Sequence, residues 1–386
     1  MRQTGVREAN LSHVLRLVHL HGPISRAVIT ARTGLNRSTV GDLVTELTVA
    51  GLVLEGEPAA HGRVGRPSPV VAADVRPVVV AANPEVDALT LAAVGLDRGI
   101  RARIRIARDE LLTPEETADL IAVQIAAWRD GPLADARVLS IGVAVPGPVR
   151  AADGLVRAAP HLGWVDAALG PLITEATELP VVVGNDANLG AVAEHLFGAA
   201  RGVDDVVYLN GGASGIGGAI IAGGHPLTGA GGYAGEFGQS RPAVASEDDR
   251  RSEVGTLEDE VSRRRLLAAV SLRSADEAEL AAALATSADP AVADEVTRQR
   301  RILATALANA VNGLNPSVLV LGGFLATLAA RDLPGLLTDV RAQSMPTSGE
   351  GIDIRLATLA DDRLLIGAAE AALSELLHDP IATLAR

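Results

Sequence analysis

Carboxylates, amides and glycines gather in four short segments of the chain. Gly184-Asn185-Asp186-Ala187-Asn188 follows an apolar stretch and opens an Ala-rich helical pattern. Residues 141–149 run from a strand-like Ile-Gly-Val-Ala-Val into Pro146-Gly147-Pro148. Gly211 to Gly218 leads into another apolar run, and Gly229 to Gly238 contains Tyr233-Ala234-Gly235-Glu236-Phe237-Gly238. Taken one at a time these make ordinary structure, since glycine clusters turn the chain and an Asn-Asp pair caps a helix. Polar groups at the carboxyl ends of several strands are, however, where α/β proteins place ligand sites. A second constellation is basic. Asn36-Arg37-Ser38-Thr39 opens a helical pattern, and Arg63 and Arg66 sit in a Gly-rich loop, residue types that contact phosphates and base edges.

Other chemistry is excluded. There is no cysteine, which removes disulfides, thiol catalysis and Cys-ligated zinc or iron–sulfur centres. All 34 basic residues are Arg, so neither a P-loop lysine nor a Schiff-base lysine is available.

The elements that must position these groups follow from periodicity. Leu11, Val14, Leu15 and Val18 form one face of a helix ending at Gly22-Pro23. Ser25 caps a short second helix that Gly34 ends, and Asn36 caps a third whose apolar face is Val40, Leu43, Val44 and Leu47. Two apolar runs flank a loop containing Ala60 to Pro67 and predict a hairpin. Three helices with a tight Gly turn and a basic wing give a winged helix-turn-helix, with Arg37, Ser38 and Thr39 facing base edges. Arg63 and Arg66 would lie along phosphates or in a narrow minor groove.

From Pro77 onward the pattern is α/β. Strands are expected at 78–82, 89–94, 138–145, 181–183, 206–209, 216–221 and 318–321. Helices are expected at 114–128, 257–270, 291–311 and 363–377. The 386 residues exceed what one simple sheet requires, so two lobes are expected after the head. The boundaries are 1–76 for the head, 77–190 for a first lobe completed by the C-terminal helix, and 191–386 for a second lobe. Apolar residues make up 48% and aromatics only 2%, so Ala, Val, Leu and Ile must build the cores.

Charge separates the head from the body. Nine Arg against six acidic residues give residues 1–76 a charge of +3, leaving −16 of the net −13 on the rest. One part is suited to a polyanion and the other is not. The longest apolar run, 318–330, is 13 residues and broken by Gly322-Gly323, too short for a bilayer. No hydrophobic signal core opens the chain, and a cytoplasmic protein with no membrane partner is expected.

In order, the wing ending in Gly65-Arg66-Pro67, Pro146-Gly147-Pro148-Val149, Ala159 to Trp164, Asn185-Asp186-Ala187-Asn188 and Ala234 to Gly238 resemble the ROK family of repressors, open reading frames and kinases. The head is similar to its repressor branch, which includes the N-acetylglucosamine and xylose regulators. The resemblance implies a two-lobed ROK domain like actin and ribonuclease H, with sugar in the cleft between lobes. It further implies that Asn185 and Asp186 match the sugar-contacting pair, Asp186 also matching the kinase general base. Glu236 and Glu258 match two sugar-binding glutamates, and His161 stands where the family often has Asn. Carboxylates and amides hydrogen-bond vicinal hydroxyls and discriminate against analogues lacking one. The partners so implied are a double-stranded DNA operator, a sugar or sugar phosphate effector, and further copies of the chain in a homodimer or homotetramer.

Two departures set the expected chemistry. The family's zinc site uses a His and three Cys, but here Gln239, Asp249, Arg251 and Thr256 occupy those positions, so no metal is expected and 241–253 reads as a mobile polar loop. The kinase phosphate turn is replaced by Ala82-Asn83-Pro84-Glu85-Val86-Asp87, with no glycine, a proline and two acids. The expectation is therefore a regulator with no cofactor and no catalytic residue. The alternatives are an ATP-dependent sugar kinase, and a regulator that binds DNA without an effector.

Overall fold

In a computed structural model the chain divides into two compact units. One comprises Met1–Ala144, Ala167–Val183 and Ala368–Arg386; the other comprises Val145–Asp166 and Gly184–Gly367. The structure describes residues 2–56, 68–212, 215–244 and 249–384. The wing residues Arg63 and Arg66, with Gly65-Arg66-Pro67, lie outside the described residues.

The first unit opens with helix α1 (Arg2–His21), strand β1 (Ile24–Ser25), and helices α2 (Arg26–Thr33) and α3 (Arg37–Val49). Leu11, Val14, Leu15 and Val18 are all buried, as their spacing predicts. Ser25 caps α2 by accepting from Val28 N, and Gly34 ends it at φ +70°, a left-handed conformation that favours glycine. Asn36 caps α3, whose buried face is Val40, Leu43, Val44 and Leu47. Strands β2 (Val53–Gly56) and β3 (Val70–Ala73) pair antiparallel, and β1 pairs with β3 to close a three-stranded sheet in the order β1-β3-β2. That is a winged-helix arrangement.

The rest of this unit is a five-stranded sheet. Its strands are β4 (Pro77–Pro84), β5 (Ala88–Gly95), β6 (Ile100–Ala107), β7 (Arg137–Val145) and β10 (Val181–Asn185), in the order β10-β7-β4-β5-β6. Strands β4, β5 and β6 form an antiparallel meander, while β4 and β7 run parallel. Helices α4 (Pro114–Arg129) and α5 (Leu169–Thr177) pack together, and α14 (Arg363–His378) and α15 (Pro380–Leu384) complete the unit. Gly142 of β7 lies beneath α14, where a Cβ would collide with the Ala368 carbonyl. Beside it Ser140 Oγ donates to Ala372 O at 2.8 Å. Helix α1 joins this unit through Ser12 Oγ donating to Leu377 O at 2.6 Å. His19, 1% exposed, donates Nδ1–H to Leu96 O at 2.6 Å, and its Nε2 lies 3.0 Å from Glu370 Oε1.

The second unit holds a hairpin, β8 (Val156–Ala159) and β9 (Trp164–Ala167), and a sheet of β11 (Val206–Gly211), β12 (Ile216–Ala222), β13 (His225–Pro226), β14 (Val318–Gly323) and β15 (Asp353–Leu356). The order is β13-β12-β11-β14-β15, with β11 parallel to β14 and antiparallel to β12. Alternate residues divide the two faces. Val206, Tyr208, Val318 and Val320 pack toward Ala191 of α6 (Asp186–Phe197). Val207, Leu209, Leu319 and Leu321 join a larger core with helices α7 (Leu257–Glu260), α8 (Arg263–Ala269), α9 (Glu277–Thr286), α10 (Pro290–Leu314), α11 (Phe324–Ala330) and α12 (Leu333–Gln343). The short α13 (Pro346–Gly349) follows.

One sequence expectation fails here. The helix expected over 257–270 is two helices, because Val261 and Ser262 are extended. Long-range partners take the backbone groups that would continue the helix. Gln299 Oε1 accepts from Ser262 N at 3.1 Å, and Arg298 donates to Glu260 O at 2.7 Å. Among the described residues no helix is long and apolar enough to cross a membrane.

Candidate functional site

Strand β10 runs directly into α6, and the junction is Asn185-Asp186. Asn185 has the extended dihedrals of an N-cap, and its Oδ1 accepts from Asn188 N at 3.0 Å. Its Nδ2 donates to Gly147 O at 2.9 Å, which fixes the Pro146-Gly147-Pro148 turn beside the helix start. Asp186 Oδ1 accepts from Ala187 N at 2.7 Å and from Asn185 Nδ2 at 3.2 Å. On the facing strand Gly217 leaves room for Ala187, since a Cβ there would stand 2.7 Å from the Ala187 Cβ.

Glu236 comes from the glycine-rich segment that follows β13. Gly235 carries φ +97°, and a Cβ on it would press on the Gly218 carbonyl, so only glycine brings this segment so close. Glu258 rises from the single turn of α7, which Thr256 and Asp259 close as a capping box. Its Oε2 accepts from Ile216 N at 3.2 Å and its Oε1 from Gln239 Nε2 at 2.6 Å. His161 sits exposed in the turn Pro160–Leu162 that Gly163 closes at φ +72°.

The structure brings all five residues named from the sequence, Asn185, Asp186, Glu236, Glu258 and His161, to one cavity of about 230 Å³. Every lining residue belongs to the second unit. Sequence reading missed two further lining residues. Gln239 signals itself only as the partner of Glu258, and Asn210 only as the polar end of β11. Asn210, 9% exposed, carries an Oδ1 with no hydrogen-bond partner among the described residues, an acceptor that a ligand hydroxyl or a water would satisfy.

The electrostatics are acidic. Burial pushes the Asp186 carboxyl up to about 6, against the Ala187 N–H and the Arg363 charge, which lower it, while the Glu236 charge adds to the rise. Glu236 is raised by burial and then by the neighbouring Glu258 charge. Among the described residues no Arg lines the cavity. The arrangement offers hydrogen-bond acceptors and an amide or two to a compact polar ligand.

The family's zinc does not fit the residues present. The Gln239 amide donates to Glu258, the Asp249 carboxylate pairs with Arg301 at 2.8 Å, and the Thr256 hydroxyl donates to Asp259. Arg251 brings a cation. Among the described residues no group of three His, Cys, Asp or Glu is placed to hold a metal ion. Of the mobile loop expected over 241–253, residues 245–248 lie outside the described residues, and the part from Asp249 to Ser252 is tied down. Arg251 N and Ser252 N donate to Glu260 at 3.0 Å, and buried Arg298 reaches Asp249 O at 2.8 Å.

In the first unit, the stretch expected to correspond to a kinase phosphate turn is a tight hairpin end. Glu85 N is spent on Ala88 O at 2.8 Å, Pro84 has no N–H, and Arg105 pairs with Asp87 at 2.8 Å.

In the head, Arg37 and Ser38 are exposed at the start of α3 and Thr39 is half-buried. The Asn36 oxygen is occupied by Thr39 N at 2.9 Å and by Ser38 Oγ at 2.6 Å. Asn36 thus shapes the helix start, and Arg37 is the group that extends from it.

Residues 86–375 match the ROK family. The chain belongs to the ROK family. Across this family the chain is similar to the xylose repressor of Caldicellulosiruptor bescii, 27% identical over 419 aligned positions that cover 98% of each chain. It is similar to the glucokinase of Halalkalibacterium halodurans, at 29% identity covering 60% of this chain and 74% of that one. Among solved structures, a ROK family transcriptional regulator described as a homologue of the Escherichia coli MLC protein superposes with a TM-score of 0.79. It is 24% identical and covers 99% of this chain and 100% of its own, a likeness of fold.

Proposed function

We propose that this ROK protein is a sugar-responsive transcriptional repressor acting on genes of carbohydrate use. The carrying observation is that Asn185, Asp186, Glu236, Glu258 and His161 line one cavity in a chain whose head is a winged helix with Arg37 exposed on its third helix. Likeness to a xylose repressor over 98% of both chains supports the reading. Arg37, Ser38 and Thr39 approach base edges, with Arg63 and Arg66 of the wing along phosphates or in a narrow minor groove. A homodimer, alone or paired in a tetramer, presents two heads to half-sites about one helical turn, or a multiple of it, apart. The sugar acts through its different affinity for the DNA-competent and DNA-incompetent states.

The cavity favours an uncharged sugar over a sugar phosphate. Its described lining presents three carboxylates and no Arg, so a phosphate would meet chiefly like charge, offset only by the Arg363 charge felt at Asp186. A kinase reading rests on Asp186, whose raised pKa suits a base. Phosphoryl transfer depends chiefly on holding phosphates and magnesium, and the β4–β5 turn has spent its amide and carries Glu85 and Asp87. The protein is a sensor without turnover.

The test is selection of bound DNA from a random pool, with and without uncharged sugars and their phosphates. A recovered (pseudo)palindrome that is released by an uncharged sugar, and lost in Arg37→Ala, is the expected result. Recovery unchanged by every sugar, or ATP-dependent phosphorylation of a sugar, would overturn the reading.

A further inference from the structure

Behind the cavity, Arg298 of α10 is 2% exposed and all five of its N–H donors are engaged. Nε and one terminal nitrogen bind the Glu295 carboxylate at 2.9 and 2.8 Å. The remaining donors reach Asp249 O at 2.8 Å, Glu260 Oε2 at 3.1 Å and Glu260 O at 2.7 Å. Glu260 is fully buried, and it also accepts from Arg251 N and Ser252 N. Gln299, equally buried, ties Ser262 to Glu295. Nearer the surface Arg301 holds the Asp249 carboxylate through both oxygens at 2.8 and 2.9 Å.

This network grips the stretch whose Cys-for-metal pattern is missing. We propose that Arg298, clamped between Glu260 and Glu295, takes the organising role that zinc has in the family and positions Glu258 for the cavity's ligand, so that ligand binding here is independent of metal. The inference rests on the sugar-sensor reading for the identity of that ligand.

A guanidinium can replace a metal in this role because both gather acceptors from segments distant in sequence. It does so with fixed donor directions, which is why lysine is a poor substitute. Control of Glu258 follows from the shortness of α7. Its last residue, Glu260, is fixed by Arg298, and its first turn is fixed by the Thr256–Asp259 box. Glu258 lies between these two anchors and so presents Oε1 to Gln239 and Oε2 to Ile216 N. Gly215 and Gly238 are the neighbours that leave space for its carboxylate, since a Cβ at Gly238 would stand 2.9 Å from Oε2. Arg298 is a positioning residue. It touches no ligand and acts through Glu260.

The test uses the full chain, titrated calorimetrically with D-xylose and D-glucose before and after EDTA treatment and with added Zn²⁺. EDTA and Zn²⁺ are expected to leave the affinity unchanged. Arg298→Met should weaken sugar binding on the order of tenfold or more while operator affinity without sugar stays as in the wild type, a split that general unfolding would not give. Should Arg298→Met fail to fold, Arg301→Ala and Asp249→Asn loosen the same segment from its outer side and should weaken sugar binding less. Amide exchange at Arg251 and Ser252 reads the network without any sugar. It should be slow in the wild type with or without EDTA, and faster in Arg301→Ala. A wild type that loses sugar affinity or amide protection in EDTA and regains it with Zn²⁺ overturns the proposal, as does a folded Arg298→Met with unaltered sugar affinity. Failure of both sugars to bind the wild type instead counts against the sugar assignment, and the exchange measurement then decides the role of Arg298.

Discussion

The carboxyl of Asp186 gives up its proton only near pH 6, because protein surrounds it and Glu236 stands nearby. Its ordinary value is 3.8, so between these two values the folded chain holds more proton than the unfolded chain. Stability contributed at this position therefore falls as pH rises from about 4 to about 6. Asp186→Asn should raise the melting temperature at pH 7.5 and lose that advantage below pH 4, as read by thermal unfolding across pH. An unchanged difference at both pH values would contradict the buried charge. The same substitution should weaken sugar binding by about 1.5–3 kcal/mol at pH 7.5, since a hydroxyl donating to a carboxylate is a charge-assisted hydrogen bond. Wild-type affinity should rise between pH 5 and 7, and calorimetry should find a smaller rise in the variant, where only the raised Glu236 carboxyl remains to titrate. If Asp186 recognises the proposed sugar, stability is given up there for binding.

Two elements depend on single close approaches. Strand β7 meets α14 at Gly142, where any side chain strikes the Ala368 carbonyl. Gly142→Ala should destabilise the protein by about 1–3 kcal/mol or more, because both partners are backbone and neither can swing away. Helix α1 is held by the buried His19–Glu370 pair. His19→Leu leaves the Glu370 carboxyl without its partner and should destabilise by about 3–5 kcal/mol, whereas the double variant His19→Leu/Glu370→Leu should recover much of the loss. Denaturant unfolding of the three chains measures this, and a double variant no better than the single would show that the loss lies in packing alone. Strand β6 illustrates a different device. It forms the sheet edge with Arg103 and Arg105 exposed, and edge charges discourage pairing with another chain.

At the scale of the molecule, charge is divided so that DNA affinity must come from the head. The body carries −16 and repels a polyanion, which keeps nonspecific binding weak. Operator affinity should fall steeply with salt. Arg37→Ala should reduce the log–log salt slope by about one if Arg37 meets a phosphate, and instead relax preference at one base pair if it meets a base edge. Filter binding across a salt series and across operator variants separates these, and no change in either would remove Arg37 from the interface.

Much of this was legible locally. Helix faces such as Val40, Leu43, Val44 and Leu47 follow from a period near four, and caps such as Ser25 and Asn36 from side chains that satisfy the nearest free N–H groups. The ordered glycine and polar segments pointed to Asn185, Asp186 and Glu236 as site candidates, and the resemblance to ROK proteins added Glu258 and His161; the structure lines one cavity with all five. The resemblance to ROK proteins placed the ligand between lobes, and the cavity described here is lined by the second unit alone. Strand β6 escaped notice because alternating Ile and Arg on a half-exposed edge carries little apolar signal. Periodicity also joined α7 to α8, since no local feature of Val261-Ser262 forbids a helix. Arg298 and Gln299, 38 and 37 positions away along the chain from the groups they bind, broke it. The membership of Gln239 and Asn210 in the site, the proton held by Asp186 and the clamp at Arg298 share one cause. Each depends on burial and on partners distant in sequence, and those exist only once the chain has folded.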